Sequence, residues 1–435
     1  MSAKNQFPLL TTSRFLPLFL TQFLGAFNDN FFKSALMMFI TFRLADESGS
    51  DPRVMVNVAA GAFVLPFFLF AAPAGDLADR CDRAFLMRQV KLAEIFIMVG
   101  AAVGFYLGNI WLLIAVLFLM GAQSAFFSPA KYSILPQHLA QDELIAGNGL
   151  IQMGTYLAIL SGAILGGVLI LRQGGIYVVG GTAVLIAAAG WVSSWFIPPT
   201  QPIDPTRRIS LRFLRRTWEM VQNIVSMREV VVPMLAISWF WLVGATFLAQ
   251  FPTYARLVLG ANENVATSFL AIFSLGIGIG STACNALLRG RVTARFVPAA
   301  AFGIAAASVL LWMFSDRPPM PPGTSLMGLG AFLKNPANWP IPLCLLLIAF
   351  CGGLYIVPLY AVIQSRAPEG CVARVIACSN ISDSIFMTAS AVGSSLLISW
   401  GWSIAQIFIL MGPLTAIAGF MISLHLNGSD GRVEG

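Results

Sequence analysis

The sequence predicts an all-α membrane protein: twelve transmembrane helices in two six-helix halves. Three observations predict it. The composition is 57% hydrophobic and only 10% charged, against about 25% charged in soluble domains. Twelve apolar runs reach the roughly 20 residues that a bilayer crossing needs. A proline-rich, arginine-rich stretch divides those runs six and six.

The spans are expected at about 14–42, 54–74, 84–108, 110–127, 147–171, 176–197, 230–255, 265–288, 296–314, 341–363, 375–400 and 403–424. The halves are thus residues 1–197 and 230–435, with a linker at 198–229. No short apolar leader with a small-residue cleavage site is apparent at the N-terminus. Of the 26 lysines and arginines, 19 fall on segments inside the cell if the N-terminus is inside. Six fall outside, and Lys33 lies within the first span. This bias predicts that both termini are cytoplasmic. It also assigns the net charge of +7 to topology and anionic headgroups rather than to nucleic acid.

Pro198, Pro199, Pro202 and Pro205 end the sixth run. Beyond them, Leu211, Leu214, Trp218, Val221 and Val225 recur at helical spacing beside Arg212, Arg215 and Arg216. That pattern predicts a short helix on the inner membrane surface. Residues 315–340 form the longest predicted outer loop, with Pro318, Pro319, Pro321 and Pro322 and an apolar middle from Leu326 to Leu333.

The polar cluster Asn28-Asp29-Asn30, with Lys33, interrupts the first run. Ionisable groups inside a span normally face a cavity or a partner. Asp29 lies about fifteen residues into the span, near mid-membrane at 1.5 Å per residue. Three readings stay open for it: contact with a cationic substrate group, an i,i+4 pair with Lys33, or a proton-carrying carboxylate. Asn28 and Asn30 point to different faces, so at most one joins Asp29 in a cavity. Lys131 is expected at the inner end of span four, as a phosphate site, a gate or a topological anchor. Gln152, Asn380 and Asp383 are expected to open spans five and eleven on the inner side. Asp383 would meet the second half's arginines or touch substrate. Glu94 reads as a local partner of Arg88 and Lys91 or as part of a gate.

No nucleophile–base set, phosphate loop or zinc-spaced ligand set is visible, so neither an enzyme nor a cofactor or metal is expected. A membrane scaffold acting through the basic linker is the non-transport alternative.

The stretch Gly75-Asp76-Leu77-Ala78-Asp79-Arg80-Cys81-Asp82-Arg83 resembles the major facilitator superfamily signature, Gly-x-x-x-Asp-Arg/Lys-x-Gly-Arg/Lys. Gly75, Asp79, Arg80 and Arg83 match, and Asp82 replaces the second glycine. The resemblance implies the major facilitator fold and an inner gate. Asp79 would meet an arginine or a helix N-terminus in one state and lose it in the other.

Three further stretches are Gly25–Asn30, Phe127–Pro136 and Ala146–Leu150. They are similar to the bacterial lysophospholipid transporter family, especially the transporter half of fused transporter–acyltransferase proteins. That resemblance implies movement of lysophospholipids, chiefly lysophosphatidylethanolamine, to the inner leaflet of the bacterial inner membrane for re-acylation. No acyltransferase domain follows the twelfth span, so a separate acyltransferase partner is expected. The alternative is a proton-coupled exporter of small amphipathic compounds.

Overall fold

The computed structural model describes residues 6–42, 52–206, 213–315, 326–368 and 370–430. The first half holds α1 (Leu16–Phe42), α2 (Pro52–Arg80), α3 (Arg83–Leu107), α4 (Ile110–His138), α5 (Leu144–Ile170) and α6 (Gly175–Ser194). The linker folds as α7 (Phe213–Val225). The second half holds α8 (Arg228–Thr253), α9 (Glu263–Leu288), α10 (Val297–Ser315), the short α11 (Leu329–Lys334), α12 (Pro340–Arg366), α13 (Val372–Ser399) and α14 (Ile404–Asp430). Lys4, Arg43, Arg207, Arg208, Leu211, Arg212, Arg317, Arg432 and the prolines of 318–322 lie outside the described residues.

Among the described residues, eleven helices are long and apolar enough to cross a membrane. The twelfth of the fold is α1, 27 residues long, whose polar cluster dilutes its hydropathy. It packs along α5 and α6. Glycines bring helices together within each half. A Cβ on Gly166 would lie 2.1 Å from the Phe31 carbonyl oxygen, and one on Gly280 2.0 Å from that of Phe350. Only hydrogen fits at either place.

The halves are filled differently. In the second half, Phe247 stacks on Phe408 at 4.4 Å and packs with Phe251 and Phe273, and Phe251 packs in turn on Phe269. Phe332 of the outer loop caps this group against Phe269. Met327 exchanges backbone hydrogen bonds with Gly260 and Asn262, so this part of the loop is tied to α8 and α9. Leu326 and Leu333 remain exposed.

Two expectations need correction. The fourth helix does not stop near residue 127. It runs through Pro129 and Pro136 to His138. A proline removes one helical donor, but the tertiary packing of this stretch holds it helical. Lys131 therefore sits two turns inside the helix instead of at its end. The linker helix also differs from a free surface helix. It docks against α2 and α13, burying Met220 and Ile224, while Trp218 and Val225 of the expected apolar stripe are exposed. Arg216 lies 3.7 Å from the buried Asp76.

Candidate functional site

The C-terminal end of α2, the start of α13 and the described part of the linker share one end of the bundle, the basic end. There the two halves close on each other. Arg374, in the first turn of α13, donates from Nε to Asp79 Oδ2 at 3.1 Å. Arg83 lies 3.6 Å from the other Asp79 oxygen and donates to Ser133 Oγ at 2.7 Å. Gly75 admits this approach, since a Cβ there would lie 3.1 Å from the Arg374 Cα. Arg80 is exposed and takes no part in this contact. The linker straps the junction: the Ile203 and Asp204 amides donate to the Asp79 carbonyl, and Thr200 bonds Asp82.

Deeper in, the closure is uncharged. Asn148 of α5 and Gln364 of α12 exchange amide hydrogen bonds, at 2.6 and 3.2 Å. Gln364 also donates to the Tyr132 carbonyl. Above them the rings of Tyr132 and Tyr360 stack at 4.3 Å, 4° from parallel. Neither tyrosine, nor the Asn148–Gln364 pair, has a role assigned from the sequence. An amide or ring inside a span carries no signal of what it meets across the interface.

These rings floor a central cavity of about 290 Å³ between the halves. Asp29, Asn30, Lys33, Lys131, Gln152, Asn380 and Asp383 all line it, with Lys91, Gln123 and Ser124. Asn28 does not; it is buried behind the wall, donating to Glu94 Oε1 at 3.0 Å. Glu94 also accepts from Lys91 at 2.6 Å and from Gln123 at 3.0 Å, so it is an internal partner distant from the gate. Arg88 is not part of that set and bonds the Ser194 and Ile197 carbonyls.

Asp29 and Lys33 form no ion pair, although they are one turn apart. Asp29 accepts from Ser124 Oγ at 2.9 Å, and the Lys33 ammonium lies 4.3 Å from the centre of the Phe63 ring. The Lys131 ammonium lies over the Tyr132 ring. Asp383 lies eleven residues into α13, three turns from the inner end where it was expected. It accepts from Ser238 Oγ at 2.7 Å and meets no arginine among the described residues. A second acid thus faces the cavity, at mid-helix and not at the inner end. Two polar atoms of the wall lack partners: the Gln152 carbonyl oxygen and the Asn380 amide nitrogen. Phe63, Val64, Phe67 and Met387 supply an apolar flank from α2 and α13, about 20 Å along those helices from the Asp79–Arg374 contact at 1.5 Å per residue.

Two six-helix halves around a polar cavity, sealed at one end, define a polytopic membrane transporter. Residues 18–316 match the model of the Major Facilitator Superfamily, and the chain belongs to that superfamily, on a branch similar to the lysophospholipid transporters. It is 28% identical over 405 residues to the lysophospholipid transporter LplT of Escherichia coli O6:K15:H31 (strain 536 / UPEC), covering 91% of this chain and 92% of the relative. The LplT of Enterobacter sp. (strain 638) is 28% identical over 406 residues, with the same coverage of 91% and 92%. Among solved structures, the human organic anion transporter MFSD10 superposes with a TM-score of 0.71 at 15% identity, over 93% of this chain and 99% of that one. The Escherichia coli fucose:proton symporter FucP gives 0.69 at 13% identity, over 98% and 99%. At such identities these likenesses establish the fold alone.

Proposed function

We propose that this protein moves lysophospholipids, lysophosphatidylethanolamine among them, from the outer to the inner leaflet of a bacterial inner membrane. The basic end is cytoplasmic in this reading, in keeping with the arginine and lysine bias. The observation that carries it is the cavity itself. Its wall joins charged groups to an apolar flank, the two demands of a headgroup and a single acyl chain. Asp29, Asn30, Lys33, Lys131, Gln152, Asn380 and Asp383 form the headgroup site. Asp79, Arg83 and Gly75 form the gate, and the halves rock about the site to expose it alternately. The product is drained by a separate acyltransferase, an expectation that rests on family resemblance. The test is purified protein in liposomes with labelled lysophosphatidylethanolamine. Movement well above protein-free liposomes is expected, and its absence would sink the reading.

One observation favours proton-coupled movement of amphipathic compounds as a second reading. Ser124 Oγ lies within hydrogen-bond distance of both Asp29 Oδ2 and Gln123 Oε1, and Gln123 Nε2 donates to Glu94. Two buried acids thus share one network. Transport abolished by an uncoupler would support this second reading; transport indifferent to the gradient would support facilitated flipping.

A further inference from the structure

The charges around the cavity are not evenly divided. The first half contributes Lys33, Lys91 and Lys131 and, beside them, the acids Asp29 and Glu94. Glu94 is paired with Lys91 at 2.6 Å. Asp29 therefore faces the two remaining ammonium groups, Lys33 and Lys131, whose close contacts are the aromatic rings of Phe63 and Tyr132. This wall carries one positive charge in excess. The facing wall carries Asp383 and no cation: the Ser238 hydroxyl donates to it at 2.7 Å, the Ser379 hydroxyl is a second neighbour, and it has no ion pair among the described residues.

A buried carboxylate without a cation is costly, by several kcal/mol per ion. In a membrane interior such a group normally has a partner. Asp383 lines the cavity, so the partner it lacks can arrive there. The same cavity holds another unfilled acceptor. The Gln152 amide nitrogen is spent on the Tyr132 hydroxyl at 3.2 Å, leaving its buried oxygen free, and Asp383 is an electrostatic neighbour of the same tyrosine. An ammonium, with three donors, satisfies both. An excess positive wall facing an unpaired negative one is the complement of a zwitterion.

We propose that the halves divide the headgroup between them: Lys33 and Lys131 hold the phosphate, and Asp383, with the Gln152 carbonyl oxygen, holds the ammonium. This rests on the lysophospholipid reading above and refines it. Asp29 then orders the lysines and does not itself take the ammonium. The bound headgroup bridges the two halves, so its binding draws together the walls that must close over it. A headgroup without an amine leaves Asp383 unpaired and is handled less well.

The experiment measures uptake of lysophosphatidylethanolamine and lysophosphatidylglycerol by the full-length protein in liposomes, as a ratio. The native protein is expected to favour the amine. Asp383→Asn is expected to lower the ratio at least tenfold, and Asp383→Glu to retain most of it. Asp29→Asn is expected to slow both lipids alike. Equal loss of both lipids in Asp383→Asn, or a ratio altered by Asp29→Asn in its place, overturns the assignment. A native protein that moves neither lipid defeats the functional reading itself. Folding is checked independently: removing an uncompensated buried charge is expected to leave the thermal midpoint of Asp383→Asn unchanged or raised. A lower midpoint means that the charge is already compensated inside the protein, which also overturns the assignment.

Discussion

Arg374 reaches across the interface of the two halves to donate to the buried Asp79 at 3.1 Å. The contact ties the end of α2 to the first turn of α13. The same α13, three turns further on, carries the acid that lines the cavity. The Asp79 contact and the cavity wall therefore share one helix.

Arg374→Ala is expected to favour opening of the basic end. Truncating one member of a buried charge pair costs about 2–5 kcal/mol. Arg374 is partly exposed and Asp79 keeps Arg83, so the low end applies. About 2 kcal/mol is roughly a thirtyfold shift in population. Cys81 and Cys371 flank this junction and are accessible, whereas the other four cysteines are buried. Spin labels on that pair should report longer separations in the variant. An unchanged distance distribution would remove the contact from the gate.

The Asn148–Gln364 pair predicts strong coupling. Either residue changed to Leu leaves the other's buried amide oxygen without its partner, at about 1–3 kcal/mol. Changing both to Leu removes the need for a partner and should recover most of the loss. A double-mutant cycle on thermal midpoints tests this. Additive losses would mean that the two amides act separately.

Glu94→Gln leaves the Lys91 ammonium buried without its carboxylate. Removing one partner of such a pair costs about 3–5 kcal/mol, so a clear drop in thermal midpoint is expected. Lys91→Met added to Glu94→Leu should restore part of it. Stability unaffected by Glu94→Gln would contradict the buried pairing seen here.

Docking of the linker helix depends on charge. Arg216 faces Asp76 and Glu219, so Arg216→Glu should release α7 and uncover Met220 and Ile224. Proteolysis near residues 207–216 is the readout, with about tenfold faster cleavage for 1.4 kcal/mol of lost docking. Arg215 and Arg216, by hydrogen bonding, hold the Glu219 carboxyl below its usual range. Its contribution is therefore present above the ordinary glutamate pKa and lost as pH falls through the lowered one. Cleavage should accelerate only in acid. Equal cleavage of variant and native protein would leave α7 undocked in solution.

Much of the fold was legible because a bilayer imposes length and hydropathy on each crossing. The ends of the helices were legible within a few residues, apart from the far ends of α2, α4 and α14. In α4, the helix runs eleven residues past the expected span, through Pro129 and Pro136. The loop that joins the halves was readable from Gly75, Asp79 and Arg83. Its partner was foreseen as an arginine or a helix N-terminus, and Arg374 in the first turn of α13 supplies both.

The polar cluster of α1 shows where that legibility stops. Sequence alone determined that Asp29 sits midway along the first apolar run and that Asn28 and Asn30 diverge, because helical periodicity is local. Only the tertiary structure decided what each meets: Asn28 bonds Glu94, Asp29 bonds Ser124, and Lys33 lies over Phe63. It also decided that Asp383, 354 positions away from Asp29, faces the same space. Burial makes each of these groups require a partner. The partner is chosen by which helices pack together, and that choice is made between segments far apart in the chain.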